Sequence, residues 1–79
     1  MNENEIGTIV VDEAVKTHQG LGPGWLELVY ETVLAKRLEK RGLVVERQVS
    51  VSIEYEDEHF DEGFRADLIV NGLVIIELL

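Results

Sequence analysis

Two carboxylates occur in this chain where the surrounding residues are apolar. Glu77 lies between Ile76 and Leu78 in the most apolar stretch of the sequence, and Asp67 interrupts a similar stretch ten residues earlier. A buried charge costs several kcal/mol unless it is paired or bound to a metal. On neighbouring strands, two such acids would supply the oxygen ligands that Mg²⁺ prefers, so the sequence raises the hypothesis of a divalent-cation site.

A structural interpretation of the same acids remains open. Glu77 could lie in water near the end of the chain, and Asp67 could pair with Arg65 or Arg47. In that case neither acid needs a metal, and both are ordinary surface or ion-pair residues. The sequence alone does not separate the two interpretations.

The predicted hairpin places a further condition on a shared site. Asn71-Gly72 predicts a two-residue turn, which pairs Asp67 with Ile76 and therefore puts Asp67 and Glu77 on opposite faces of the sheet. The two acids converge only if a bulge or a longer loop shifts the register by one residue.

A third acid, Glu27, lies in a helical pattern one turn before Tyr30. The helical period places Glu27 inside the apolar sector of that helix rather than opposite it. A glutamate in the first turn also faces the free N–H groups of the helix, at the N3 position if Gly24 is the cap. Tyr30 is interpreted as a core aromatic residue with a satisfied hydroxyl.

Two helices are predicted to position these residues. Asn2 or Asn4 can cap the first helix, with Glu5 completing a capping box after Asn2, and Gly20 is expected to end it. The second helix is predicted from about Gly24, directly after the only proline, to residue 41, with a glycine following.

Three strands are predicted to follow. Residues 49–55 alternate between apolar and polar side chains, which indicates a half-buried strand, and residues 56–59 form a polar turn. Residues 64–70 and 73–78 form the next two strands, and the last lacks polar alternation, so it is expected inside the sheet and covered on both faces. The predicted fold class is α+β, with two N-terminal helices packed on a three-stranded antiparallel meander.

Composition limits the classes of function. A chain of 79 residues forms one domain, with no apolar run long enough for a membrane span and no N-terminal signal sequence. The absence of cysteine fits a cytoplasmic protein. The net charge of −9 repels a phosphate backbone and so disfavours binding of nucleic acid by the bare chain.

Several segments in order along the chain resemble the bacterial and archaeal GxxExxY protein family, placed within the PD-(D/E)XK nuclease-like superfamily. The matching segments are Gly24-x-x-Glu27-x-x-Tyr30, Glu46-Arg47-Gln48-Val49, Phe64-Arg65-Ala66-Asp67-Leu68 and Val74-Ile75-Ile76-Glu77-Leu78. The resemblance implies a restriction-endonuclease-like core and hydrolysis of phosphodiester bonds that depends on Mg²⁺, with Mn²⁺ as a substitute. It also implies that a helix and a fourth strand follow the meander.

The resemblance assigns roles to four residues. Asp67 and Glu77 would be the metal-binding acids, Glu27 the acid that the first core helix directs at the metal, and Gln48 a supporting residue of the site. The lysine expected two positions after Glu77, where it would activate the attacking water, is replaced by Leu79. Negligible nuclease activity is therefore expected.

Residues 1–79 are thus expected to be a single domain of this superfamily without its C-terminal helix and strand. Either the gene is truncated or degenerate, or the chain is a shortened form of a longer protein and its last residue derives from the expression vector. An uncovered final strand would be an apolar edge, which predicts a homodimer. The alternative function is accordingly a non-catalytic interaction module that kept the fold and dimerises.

Overall fold

The fold consists of two helices followed by an antiparallel sheet. The computed structural model describes residues 1–78, except for the side chain of Glu62. The elements are α1 (Glu3–Leu21), α2 (Glu27–Lys40), β1 (Val45–Tyr55), β2 (Glu58–Val70) and β3 (Val74–Ile76). The strands are ordered β1-β2-β3 in one sheet, so the predicted α+β class and meander are confirmed.

The predicted capping box fixes the start of α1. The Asn2 side chain accepts a hydrogen bond from the Glu5 N–H at 2.9 Å, and the Glu5 carboxylate accepts one from the Asn2 N–H at 3.0 Å. The helix continues one residue beyond the expected end at Gly20. Gly22, with a φ of 72°, caps it and donates its N–H to the His18 carbonyl at 2.9 Å.

Helix α2 begins three residues later than predicted, which changes the position of Glu27. Gly24 has a φ of 93°, outside the helical region, so the helix cannot include it. Leu26 is the N-cap, and Glu27 is therefore the first helical residue rather than the N3 residue of a helix capped by Gly24. The end is as expected, because Gly42 follows the last turn with a φ of 85°.

The hydrophobic core lies between the two helices and one face of the sheet. In β2, buried side chains alternate with less buried ones, as a strand with one covered face requires. The buried apolar residues of the core cluster are Ile6, Val10, Leu34, Ala35, Leu38, Leu43, Leu68 and Val70. This core holds the helices against the part of the sheet that carries the candidate site.

The β1–β2 ribbon has two halves in different registers. The last pair of the inner half is Val51 with Phe64, and the outer half begins with Ile53 opposite Phe60, so β2 contains two extra residues at this point. A Cβ atom on Gly63 would lie 2.4 Å from the Val51 carbonyl oxygen, so only glycine fits here. The outer half, including Ile53, is exposed, and the predicted half-buried strand holds only for the inner half.

Strand β3 is short and lies at the edge of the sheet. The prediction of a strand over residues 73–78, covered on both faces, is wrong: only Val74–Ile76 form the strand, and Ile75 is 49% exposed. Among residues 1–78, β3 pairs with β2 alone. An unbroken apolar run therefore does not mark an interior strand here.

The hairpin between β2 and β3 contains one more residue than predicted. Asn71 and Gly72 have φ values of 51° and 65°, as a type I′ turn requires, and the Leu73 N–H donates to the Val70 carbonyl at 3.0 Å. Pairing nevertheless resumes with Val74 opposite Val70, which leaves Leu73 as an additional residue. The register after the turn is therefore shifted by one.

Candidate functional site

The register shift ends directly beside Asp67 and Glu77. Leu68 pairs with Ile76 in the shifted register, and Asp67 and Glu77 are the residues that adjoin this pair at the same end of the sheet. This is the one-residue shift that a shared site requires. Regular pairing ends at Ile76, and beyond it the Leu78 N–H donates to Asp67 Oδ2 at 2.6 Å.

Asp67 is half-buried and has a hydrogen bond on each carboxylate oxygen. Its Oδ2 atom accepts the Leu78 N–H, and its Oδ1 atom lies 3.4 Å from Gln48 Nε2. Arg47, one of the two partners suggested for Asp67, binds Glu31 instead. Asp67 is therefore held by the backbone at the end of the sheet and by an amide of the neighbouring strand.

Gln48 adopts an unusual backbone conformation within β1. Its φ of 52° lies in the left-handed region, which costs roughly 1–3 kcal/mol for a residue other than glycine. Its side-chain nitrogen donates to Glu31 Oε1 as well as to Asp67 Oδ1. The strained strand residue is thus the link between helix α2 and the acid on β2.

Glu31 is a site residue that the sequence analysis missed. It is 3% exposed, and its Oε2 atom accepts hydrogen bonds from Arg47 Nη2 at 2.8 Å and Arg47 Nε at 3.1 Å. The signal was present in the helical period, because Glu31 begins the buried stripe that continues with Leu34, Ala35 and Leu38. A charged residue at the inward position of a stripe needs buried partners.

Glu27 lies at a shallow pocket beside the end of the sheet. The pocket has a volume of about 350 Å³ and is lined by His18, Trp25, Glu27, Tyr30 and Leu78. The Tyr30 hydroxyl donates to the Gly22 carbonyl, so the hydroxyl is satisfied as predicted, but the ring is only partly buried and is not part of the core cluster. Leu78 connects this pocket to Asp67, because it lines the pocket while its N–H binds the Asp67 carboxylate.

A model of the PD-(D/E)XK nuclease superfamily matches residues 4–79. The chain belongs to the PD-(D/E)XK nuclease superfamily. No curated protein and no solved structure matches it. Nucleases of this superfamily generally depend on divalent metal ions. The narrower assignment to the GxxExxY family stays a prediction.

Asp67 and Glu77 can be compared with the ligands that the divalent metal ion of a PD-(D/E)XK nuclease requires. In donor chemistry they fit, because Asp67 and Glu77 supply the hard oxygen ligands that Mg²⁺ prefers. In number they allow a weak site at most: within residues 1–78, no three His, Cys, Asp or Glu side chains form a group that could hold a metal. Glu77 is exposed, as the structural interpretation of this acid expects. No step of phosphodiester cleavage is therefore assigned to a metal here.

Position 79 bears on the same superfamily site. The lysine that the resemblance calls for would stand there, and leucine occupies it in the sequence. This position lies outside the described residues.

None of the helices in the described part of the chain is long and apolar enough to cross a membrane.

A second buried glutamate lies far along α1 and binds only helix residues. Glu13 Oε1 accepts from Arg37 Nε at 2.9 Å, and Glu13 Oε2 lies 3.0 Å from Arg41 Nη1 and 3.6 Å from Lys16 Nζ. Burial opposes ionisation and is the largest single influence on the Glu13 pKa. The Arg41 hydrogen bond and the charges of Lys16 and Arg37 together outweigh it and hold that pKa below its ordinary value.

Proposed function

We propose that the chain is a nuclease-superfamily domain that retains a weak divalent-cation site and does not hydrolyse phosphodiester bonds by itself. The observation that supports this most directly is the register shifted by one residue, whose last pair, Leu68 and Ile76, adjoins Asp67 and Glu77. Asp67 and Glu77 are the proposed ligands, and Glu27 is the third acid, at the adjoining pocket. Gln48 supports Asp67 through its side-chain amide.

The proposed ion is Mg²⁺, with Mn²⁺ as a substitute. Mg²⁺ is commonly bound through one or two carboxylates with water completing its octahedral shell, so two acids suffice for weak binding. Both Asp67 oxygens already accept a hydrogen bond, yet a carboxylate has about four lone-pair positions and keeps room for a cation. We expect dissociation constants on the order of millimolar for Mg²⁺, since a two-acid site rarely binds it more tightly.

The proposed lack of cleavage follows from position 79. Leucine has no group that could orient or activate a water molecule, whereas lysine supplies both a positive charge and proton donors. The net charge of −9 also opposes approach of a polyanionic substrate, DNA or RNA, until cations offset it.

A metal titration tests the proposal. Amide shifts are followed by NMR during addition of Mg²⁺ or Mn²⁺ to the wild type, to Asp67→Asn and to Asp57→Asn, which removes an acid from the exposed distal turn. Saturable changes around Asp67 and Glu77 are expected in the wild type and the control, and none in Asp67→Asn. Changes that are unaffected by Asp67→Asn would refute the site.

Substitution at position 79 tests the second half of the proposal. Leu79→Lys restores the charge that the superfamily motif contains, so cleavage of DNA or RNA in Mn²⁺ is expected from this variant only. Leu79→Met is the matched control, because methionine is unbranched like lysine but carries no charge. Cleavage by the unmodified chain that disappears in Asp67→Asn would contradict the proposal.

The exposed edge of the sheet favours a second candidate function, an interaction module that forms a homodimer. Leu73 and Ile75 expose about half of their surfaces on or beside β3, whose outer edge lacks a partner strand within residues 1–78. A second copy could pair edge to edge with β3. Two chains of charge −9 repel each other, so dimerisation is expected to strengthen with salt.

Sedimentation equilibrium at low and high salt tests this dimer. The expected result is a mass near twice that of the chain at high micromolar concentration, lost in Ile75→Lys and retained in Val11→Lys, which changes an exposed residue of α1. A monomeric mass at both salt concentrations would exclude the dimer.

A further inference from the structure

We infer that Glu31 is a positioning residue of the acidic site: through Gln48, it sets the orientation of the Asp67 carboxylate. The inference rests on the proposed function in so far as Asp67 is a cation ligand. Its structural part stands on a continuous set of hydrogen bonds from α2 to the end of the sheet. The members are Glu31, Gln48, Asp67 and the Leu78 N–H.

The first link is fixed because Glu31 is buried and fully engaged. Arg47 binds one of its oxygens with two nitrogens, at 2.8 and 3.1 Å, and these charge-assisted hydrogen bonds hold that oxygen in place. The other oxygen then points at the Gln48 side chain. Arg47 also reaches the Thr32 hydroxyl at 2.9 Å, which ties the guanidinium to the same helix.

The second link has only one chemically acceptable orientation. The Gln48 amide meets a carboxylate oxygen on each side, from Glu31 and from Asp67. Its nitrogen must face both, since its two N–H groups can each donate to one carboxylate and its oxygen would be repelled by them. The amide therefore joins two negative groups that would otherwise repel each other.

The backbone of Gln48 is consistent with a functional link. A glutamine with a φ of 52° inside a strand is strained, and strain of this kind persists only where surrounding contacts enforce it. The hydrogen bonds from Gln48 to Glu31 and Asp67 are contacts of that kind. Without Glu31, the side chain loses its anchor on α2.

The third link determines which part of Asp67 faces a cation. Gln48 takes a lone pair of Oδ1 and the Leu78 N–H takes one of Oδ2, so the carboxylate plane is defined by contacts on both sides. Loss of the Gln48 contact frees one side and changes the geometry of the Leu78 contact. Substitution of a residue that orients a metal ligand commonly lowers the metal affinity by roughly 10- to 100-fold.

The test compares two buried glutamates by NMR without metal and then with Mn²⁺. Glu31→Gln removes the charge and keeps the shape, and Glu13→Gln makes the same change in α1, away from the site. Glu31→Gln is expected to shift the Leu78 amide and the Gln48 side-chain NH₂ signals and to weaken Mn²⁺ binding roughly tenfold. Glu13→Gln is expected to leave all three unchanged, although both variants alter stability.

A second variant keeps the inference testable if Glu31→Gln does not fold. Gln48→Asn retains an amide and tolerates a left-handed φ, but its shorter side chain cannot reach both carboxylates. It is expected to shift the Leu78 amide as Glu31→Gln does, and the two changes together should be non-additive. An unchanged Leu78 amide in either folded variant would overturn the inference.

The two parts of the experiment separate this inference from the proposed function. If the wild type binds no Mn²⁺ but Glu31→Gln still shifts Leu78 and Gln48, the orientation of Asp67 by Glu31 stands and the cation site fails. If Mn²⁺ binds at Asp67 with equal affinity in wild type and Glu31→Gln, the cation site stands and the positioning role is refuted.

Discussion

Helices α1 and α2 each bury one glutamate, and the two are equally hidden: Glu13 is 4% exposed and Glu31 is 3% exposed. Their surroundings differ. Glu13 meets three cationic side chains, two from the helices and one from the residue that caps α2, whereas Glu31 meets one arginine and one amide from β1. The contacts of Glu13 connect the two helices to each other, whereas those of Glu31 continue through Gln48 to Asp67 at the end of the sheet.

This difference is the basis on which we infer a positioning role for Glu31 and a structural one for Glu13. Surplus positive charge around Glu13 holds α1 against α2 and needs nothing further. In the described part of the chain, Glu31 has only Arg47 to balance its charge, and its remaining oxygen accepts a hydrogen bond from Gln48. A buried acid whose hydrogen bonds lead toward exposed polar groups is therefore the better indicator of a site than burial alone.

The largest expected effect is that of Glu31→Ala. It leaves the Arg47 guanidinium without its carboxylate and Gln48 without its anchor, so we expect a loss of about 2–3 kcal/mol in the free energy of unfolding. Urea denaturation followed by the fluorescence of Trp25 measures it. Glu39→Ala, an exposed change on the same helix, is the control and should cost little. Equal losses in the two variants would show that Glu31 is not held as described.

The next effect concerns the conformation of Gln48. Gln48→Val places a β-branched residue at a φ of 52° and removes the amide, and we expect it to cost about 1–2 kcal/mol more than Gln48→Gly, which accepts that φ without strain. Urea midpoints of the two variants give the difference. Val49→Thr serves as the control for a polar change at the adjacent strand position. A Gln48→Val variant as stable as Gln48→Gly would mean that the left-handed conformation is not retained.

The comparison also shows what the sequence could predict. The capping box at Asn2, the glycine after α2, the Asn71-Gly72 turn and the α+β class followed from local chemistry, because each depends on residues adjacent in the chain. The edge position of β3 and the extra residue at Leu73 did not, since both depend on how strands associate. Asp67, Glu77 and Gln48 were selected by type and by resemblance, and the shifted register ends at the pair that adjoins the two acids.

Glu31 was missed for a specific reason. The sequence pattern predicted Glu27 as the acid in the apolar sector of α2, whereas Glu31 is the acid that shares the buried face with Leu34 and Leu38. The partners of both buried glutamates come from distant positions, as Arg47 and Arg37 do, and no local pattern identifies such pairs. Pairing between distant positions thus limits the prediction of a site as well as of a fold.

Acidification is expected to weaken the ion pairs that Glu13 forms between α1 and α2. A hydrogen bond from Lys16 is the main cause that lowers the Asp12 pKa below 3.8, and the Glu13 pKa lies below 4.5 for the reasons given above. Because the folded state holds these protons less tightly, both acids stabilise the fold above the ordinary values. That stability is lost as the pH falls from about 4.5 through the lowered pKa values. Urea midpoints from pH 6 to pH 3 measure the loss.

The control for this pH dependence is Glu13→Gln. The variant should be less stable near neutral pH and should lose less stability between pH 5 and pH 3, because one of the two acids with a lowered pKa is absent. A decline as steep as that of the wild type would assign the acid sensitivity to other carboxylates. The network around Glu13 would then be structural without controlling the pH response.

The smallest expected effect is that of Lys16→Ala. Lys16 is about half exposed and lies 3.1 Å from Asp12 one turn away, a surface pair that water and salt screen effectively. Glu13 keeps Arg37 and Arg41, so the buried acid stays paired and the urea midpoint should hardly change. Arg37→Ala is the matched change: it removes the contact of Arg37 with the buried Glu13 carboxylate and should lower the urea midpoint clearly more. If Lys16→Ala were instead the more damaging of the two, the Glu13 cluster would depend on its exposed member, and the contrast with the single arginine at Glu31 would lose its basis.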